Sequence, residues 1–442
     1  MTAEPPLGLG TLDRLPEAAR PLIDPAGLEV GVLHLGLGVF HRAHQVVYTE
    51  EAMAVTGDRR WGICAAGMRS RATVDVVAAQ DGLFSVLVRD GGPRPVELRV
   101  YGSLRQTRFG AEVVERLADP RIKVVTITVT EKGYLPGQDT ITWLVAGLER
   151  RAKAGGGPVT VLSCDNVPHN GQVVGDAVRA AADEGLREWI DENVAFPSSM
   201  VDRLVPAPRP EDLDEVAAAL GVRDRAAVAT EPFRQWVIED RFAAERPAWE
   251  KAGALIVPDV APYELMKLRL LNGSHSLIAY LGMLHGCETI AETVARDDVA
   301  EAVRALMDQD ITPTLPVPEG FDIEAYKRRL RQRFANPALR HQTAKVAADG
   351  SLKLPLRLIT VLKERLAAGA TPSYAALGIA AWMRYVSLAP TLDDPAAPAL
   401  KSAAATASDP ASLVAALLPF IAAGDLPPAA AELVTDQLAT LW

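Results

Sequence analysis

The chain is poor in the residues from which cross-links and thiolate metal sites are built. Its 442 residues include three cysteines, Cys64, Cys164 and Cys287, far apart and without a Cys-x-x-Cys pair. That pattern suits neither a disulfide framework nor a zinc site. Long apolar runs are missing as well: no stretch approaches the ~20 uninterrupted apolar residues of a membrane span, and the opening MTAEPPLGLG has no basic region followed by an apolar run. Positive charge is in deficit, with 46 Lys and Arg against 56 Asp and Glu and a formal charge of −10. A nucleic-acid or anionic-membrane surface is therefore not expected as the main business of the protein. What remains is ordinary globular usage, 49% apolar and 23% charged, which argues against wholesale disorder. The expectation is a soluble protein of a reducing cytoplasm.

The length suggests two domains. After a Pro-rich lead, EVGVLHL (residues 29 to 35) is an apolar run that ends at GLG and is followed by the helix-compatible VFHRAHQVVYTEEAMA, which reads as strand, glycine turn, helix. WGICAAG at 61, LFSVLVRD at 83, KVVTITVT at 123 and PVTVLSCDN at 158 supply further strands, with helical patterns such as TWLVAGLERRAKAG between some of them. Such alternation predicts an α/β fold with a parallel sheet. The texture changes near LIVPDVAPYE, where two prolines punctuate the switch to long Ala- and Leu-rich helical segments. The boundaries read are 1–257 for an α/β nucleotide-binding domain and 258–442 for an all-helical domain, with short helices expected in the Ala- and Pro-rich tail.

In HLGLGVFHRAH, Gly36 and Gly38 stand at the tip of the first strand, where a tight turn and a close backbone approach would serve a pyrophosphate. The third glycine of the usual fingerprint is replaced by His41, so a plain strand-to-helix turn is the alternative. The acidic ribose ligand usual after the second strand is also missing: Met68, Arg69, Ser70 and Arg71 occupy that place. An arginine there suits a 2′-phosphate, which leaves NADP open beside NAD.

The run KLRLLNGSHS (267 to 276) is apolar enough for burial yet carries Lys267, Asn272 and His275. On a regular helix turning ~100° per residue, Glu264, His275 and Asn272 fall about 60°, 80° and 140° from Lys267, within one arc. Read singly, Lys267 is equally a snorkelling lysine, Asn272 a residue satisfied by a loop and His275 a core histidine; read together, they line a cavity. Beside a nicotinamide site, a lysine can take the proton of a secondary alcohol as hydride leaves carbon, and amide donors can hold the developing alkoxide.

Seven motifs in order, GLGVFHRAHQ at 36, TVTEKGY at 128, SCDNVPHNG at 163, FPSSMVDRLVP at 196, EPFRQWVIED at 231, PYELMKLRLLNGSH at 262 and DGSLKLP at 349, resemble those of the mannitol dehydrogenase family, the polyol-specific long-chain dehydrogenases. The resemblance implies a Rossmann-like N-terminal domain, a helical C-terminal domain and a metal-independent NAD-linked reaction in the cleft between them. It places the catalytic lysine at Lys267, oxyanion-holding asparagines at Asn166 and Asn272, a substrate-orienting histidine at His275 and a proton-gating glutamate at Glu264. Cofactor contacts fall on Gly36, Gly38, Val39, Phe40, Arg69, Thr130 and Asn166, and substrate contacts on Asp202, Lys345 and Lys353. Lys345 stands where mannitol 2-dehydrogenases carry a substrate-binding arginine, so a bidentate fork is lost. MRSRATVDVVAAQDGLFSVLVRD and NPALRHQTAKVAADGSLKLP look closer to the fructuronate reductase, or mannonate oxidoreductase, branch. That branch generally uses NAD despite a similar arginine near the second strand.

The expectation is thus hydride transfer between NAD(H) and a linear sugar acid, D-mannonate/D-fructuronate, with D-mannitol/D-fructose or another polyol such as arabinitol as the alternative. A rival of another class is an NAD-binding sensor without turnover. The expected partner is the small-molecule sugar acid or polyol, with no nucleic acid or membrane, in a monomer or weak homo-oligomer.

Overall fold

The run VGVLHL forms strand β1 (Val30–Leu35), and all six of its residues are buried. A strand covered on both faces reads as a near-continuous apolar run, as here. The computed structural model describes residues 4–92, 94–422 and 424–442, and the chain divides into two units, Met1–Ala261 and Pro262–Trp442.

In the first unit the strands after β1 are β2 (Gly62–Gly67), β3 (Phe84–Val88), β4 (Glu97–Tyr101), β5 (Leu104–Phe109), β6 (Val124–Ile127), β7 (Val159–Ser163), β8 (Val194–Ala195), β9 (Ser199–Asp202), β10 (Val228–Thr230), β11 (Gln235–Glu239) and β12 (Leu255–Val257). The main sheet has the order β5-β2-β1-β6-β7-β8, and its pairs are all parallel. Alternation along the strands feeds two cores. Leu33, Leu35, Cys64, Ala66, Val125 and Ile127 pack on one face against helical residues such as Leu144 and Val178. Val32, Ile63 and Ala65 pack on the other against Val46, Val47 and Phe84. The chain runs outward from β1 to β2 and returns to β6 on the other flank of β1. That reversal of direction is where ligands bind in open α/β sheets.

LFSVLVRD departs from the expectation. Its strand, β3, lies outside the parallel sheet, pairing antiparallel with β4 and parallel with β10. A third small sheet, β12-β11-β9, closes the unit. The segment expected as one helix after the glycine turn is two, Val39–Ala43 and Gln45–Thr56. They are broken at His44 (φ −124°, ψ −81°), whose Nε2 donates to the Gln235 carbonyl, 3.0 Å away.

In the second unit the described residues form helices and no strand. Ser274–His285 and Ser373–Leu388 supply its buried centre through residues such as Leu277, Ile278, Ala376 and Ile379. The tail helices are Ala397–Ala404, Pro410–Leu417 and Pro428–Thr440. Around this centre the helices widen into π turns at Lys267–Gly273, Leu306–Ile311 and Pro355–Ile359. These three converge on Gly273, where a Cβ would stand 3.3 Å from the Arg357 carbonyl and 3.6 Å from both Ile311 Cδ1 and Leu358 Cδ2. The regular helix expected over 264–280 is therefore α-helical only to Met266 and again from Ser274.

Candidate functional site

At the tip of β1 the glycine turn is held against the loop after β6. Gly36 has φ +108°, and a Cβ there would lie 2.0 Å from the Thr128 carbonyl oxygen; no side chain fits. Its N–H and that of Leu37 both donate to the Ala66 carbonyl at 2.9 Å, tying the turn to the end of β2. Gly38 is different. It is the extended N-cap of the helix carrying Val39 and Phe40, and a Cβ there would meet nothing nearer than 3.6 Å. The first glycine is demanded by the fold, and the second leaves open space in front of the turn. This is the cradle a dinucleotide phosphate requires, so the residues present fit NAD.

Beneath the turn lies a buried histidine stack. His34 Nε2 donates to the Gly36 carbonyl at 3.0 Å, and Nδ1 is 2.8 Å from Thr126 Oγ1. The His34 and His41 rings are 3.3 Å apart and nearly parallel. Burial pulls the pKa of His34 down to about 3 and that of His41 well below its ordinary value. His41, which occupies the place of the third glycine, is thus a neutral packing surface under the turn.

The loop after β6 carries Thr130 at φ +70°, a conformation a β-branched residue rarely adopts. Asp165, at the end of β7, holds it there: its carboxylate accepts from the Val129 N–H at 3.0 Å, the Thr130 N–H at 2.8 Å and the Tyr134 hydroxyl. Burial lifts the Asp165 carboxyl above the ordinary range, and the three donors oppose that rise. Asn166, next along the chain, is exposed. Asn170 fixes the same segment, donating to the Asp165 and Ser199 carbonyls at 2.9 and 2.8 Å. Asp202 is buried at the end of β9, paired in register with Gln235. At the end of β2, Met68 packs on the core, whereas Arg69 is exposed.

In the second unit, Glu264 lies on the helix Ala261–Met266, Lys267 and Asn272 on the π turn, and His275 on the first turn of Ser274–His285. All four are half-buried. Arg269 on the same turn is buried and pairs with both oxygens of Glu364 at 2.6 Å, which anchors the turn. Arg357 Nη1 reaches the Asn272 carbonyl at 3.4 Å and Ser276 Oγ at 3.2 Å. The His275 ring lies 4.6 Å from Phe334 and 5.2 Å from His341. Its pKa is held well below the ordinary value, first by burial and then by the charges of its neighbours. Lys345 is exposed on the helix Thr343–Ala347. The ammonium of Lys353 is engaged: it donates to the Ala348 carbonyl at 2.6 Å and stands 3.7 Å from Asp349.

The sequence reading missed Asp165, His34 and His341. Asp165 acts through backbone N–H groups, which no side-chain pattern reveals; its one visible signal was a carboxylate directly after an apolar strand. Among the described residues no group of three His, Cys, Asp or Glu side chains is arranged to hold a metal ion.

Comparison with known proteins gives consistent findings over both units. The family model for the mannitol dehydrogenase Rossmann domain matches residues 30–251, and that for the mannitol dehydrogenase C-terminal domain matches residues 259–441. D-mannonate oxidoreductase of Escherichia coli (strain K12) is 44% identical over 401 residues, covering 83% of this chain and 82% of that protein. Mannitol 2-dehydrogenase of Cereibacter sphaeroides is 37% identical over 395 residues, 83% of each chain. Among solved structures, the Pseudomonas fluorescens mannitol 2-dehydrogenase ternary complex with NAD and D-mannitol matches with a TM-score of 0.83 at 34% identity, covering 98% of this chain and 96% of that one.

Proposed function

Because the chain belongs to the mannitol dehydrogenase family, we propose that it is an NAD-dependent oxidoreductase acting on a secondary alcohol of a linear sugar acid or polyol, with D-mannonate and D-fructuronate as its pair. The observation that carries the reading is the half-buried polar set Lys267, Asn272 and His275 on the widened turn and the helix that continues it. The identity to a D-mannonate oxidoreductase supports the sugar acid over the polyol.

The turn of Gly36, Gly38, Val39 and Phe40 would hold the cofactor phosphates, with Thr130 and Arg69 at the neighbouring strand ends. Bound NAD supplies the hydride acceptor in oxidation and, as NADH, the donor in reduction. The chain's own residues manage the proton and the oxygen. Lys267, as the neutral amine, takes the hydroxyl proton in oxidation and, as the ammonium, returns it in reduction. The Asn272 amide donates to the oxygen as negative charge develops on it. His275, kept neutral by its surroundings, holds an adjacent hydroxyl, and Glu264 exchanges the lysine's proton with water. Asn166 and Asp202 take the roles that the family resemblance gives them. Free lysine ionises near ~10.4, so a base working near pH 8 requires ~3 kcal/mol of preference for the neutral amine, a size that desolvation supplies.

The test is NADH oxidation, followed by absorbance, with fructuronate and fructose as substrates. Turnover is expected with fructuronate. Lys267→Ala is expected to lower turnover at least ~100-fold while leaving NADH affinity nearly unchanged. Equal loss of cofactor binding and rate would make Lys267 a structural residue, and NADH binding without oxidation of any substrate would favour the sensor.

A further inference from the structure

His341 has no part in the roles assigned so far, yet its placement is specified with care. The residue before it, Arg340, is held in the left-handed region at φ +43°, a conformation that costs a non-glycine residue energy and clusters at ligand sites. The His341 carbonyl accepts from the Ile290 N–H at 2.9 Å, and the next residue, Gln342, bridges to Thr289. The backbone is therefore pinned directly after the strained residue, and the imidazole meets the His275 ring edge to face at 5.2 Å.

The charge around the two rings has one sign. Within this unit the charged side chains acting on His275 are Arg333 and Arg357, and those acting on His341 are Lys345 and Arg333. Burial is the larger cause that keeps His341 below its ordinary pKa, with the two cations second. Lys345 stands on the helix Thr343–Ala347, which begins two residues after His341. It makes no hydrogen bond or ion pair among the described residues, unlike Lys353 with its carbonyl and carboxylate partners. Cations acting on half-buried imidazoles, with the exposed Lys345 among them, form a seat for an anion.

We propose that His341, with Lys345 beside it, is the specificity residue that seats the carboxylate of an open-chain sugar acid next to His275. This rests on the sugar-acid reading above and adds the group that reads the acid. A terminal phosphate presents related anionic oxygens, so it must be distinguished by experiment.

The test is kcat and KM for NADH-dependent reduction of fructuronate, fructose and fructose 6-phosphate by the full chain and by His341→Asn, His341→Gln and Lys345→Met. We expect the wild type to prefer fructuronate. Each variant should lose at least about tenfold in kcat/KM for it, mainly through KM, and at least about tenfold in the ratio of kcat/KM for fructuronate to that for fructose. Lys345→Met alters an exposed position and keeps the test open should the histidine variants fail to fold. Equal losses on fructuronate and fructose, or losses confined to kcat, would overturn the assignment of His341 while leaving the sugar-acid reading intact. Preference of the wild type for fructose 6-phosphate would overturn the carboxylate. A wild type that reduces fructose alone would remove the sugar-acid reading and this inference with it.

Discussion

Acidification from about pH 7.5 to about pH 5.5 tests the histidine stack under the glycine turn, and the structure sets the size of the effect. His34 and His44 are fully buried, and burial lowers both to about 3 from 6.5. Their hydrogen bonds to backbone carbonyls oppose that lowering without overcoming it. The Gly36 and Gln235 carbonyls take the Nε2 protons. The Gln45 amide donates to His44 Nδ1 at 3.1 Å, so a proton there would face another donor. A folded-state pKa below the unfolded value means that the unfolded chain binds more protons, so this stabilisation is complete above about pH 6.5 and is lost as pH falls toward 3. At pH 5.5 each histidine contributes a loss of about 1.4 kcal/mol, about 3 kcal/mol for the pair.

Glu50 works in the opposite sense. It is fully buried and accepts from the Gly102, Ser103 and Leu22 N–H groups, yet burial raises its carboxyl from 4.5 to about 7. Its favourable term is present below about pH 4.5 and is lost as pH rises through 7, so the same acidification returns about 2 kcal/mol. The histidines win, by about 1 kcal/mol at pH 5.5 and about 3 kcal/mol at pH 4.5 from these three groups, and His41 adds in the same direction. Urea unfolding followed by tryptophan emission suits the measurement. Five of the seven tryptophans, Trp61, Trp143, Trp189, Trp236 and Trp249, belong to the first unit, and Trp236 packs 5.5 Å from His44. Glu50→Gln removes the offset, so its loss between pH 7.5 and 5.5 should exceed that of the wild type by about 2 kcal/mol. A Glu50→Gln protein whose stability is flat across that interval would refute the reasoning.

Two further outcomes follow from the geometry of the site. Gly36→Ala drives a Cβ to within 2.0 Å of the Thr128 carbonyl and should cost at least ~2 kcal/mol of stability together with NADH binding; Gly38→Ala, with no contact under 3.6 Å, should keep wild-type stability and lose only NADH affinity, both read by fluorescence titration and thermal melting. Glu364→Ala leaves the buried Arg269 guanidinium without its carboxylate; a loss of about 3 kcal/mol is expected, at the low end for a broken buried pair because Glu364 is itself half exposed, and a calorimetric change under ~1 kcal/mol would show that the pair does not anchor the π turn.

The parts of the fold legible in the sequence are those whose environment is uniform. β1, β2, β6 and β7 are buried along their whole lengths, so they stand out as apolar runs. β5, LRQTRF, escaped because it is an edge strand whose residues after Leu104 are only half-buried, the charged habit of a sheet edge. β8, β10 and β12 escaped because each is two or three residues long, too short for a period to register, and β9 and β11 because polar residues stand at both ends, Ser199 and Asp202 in one, Gln235 and Glu239 in the other. LFSVLVRD was legible as a strand but not as a member of another sheet, because alternation carries no pairing information.

The run KLRLLNGSHS shows a subtler limit. A regular 3.6-residue helix sets positions five apart about 140° from one another, which places Asn272 at the margin of the arc around Lys267. A π turn bonds residue i to i+5, and residues joined by the ladder stand one above the other on the same side of the helix. Over Lys267–Gly273 the wider turn therefore moves Asn272 toward the face of Lys267, its fifth neighbour, and no helical period written in residue types signals that shift. The sequence does carry its cause in Gly273, where the lack of a side chain lets the run approach the Arg357 carbonyl of a second π turn. Read this way, the NG pair within KLRLLNGSHS combines the amide proposed to polarise the oxygen with a residue whose missing Cβ admits the close backbone approach beside it.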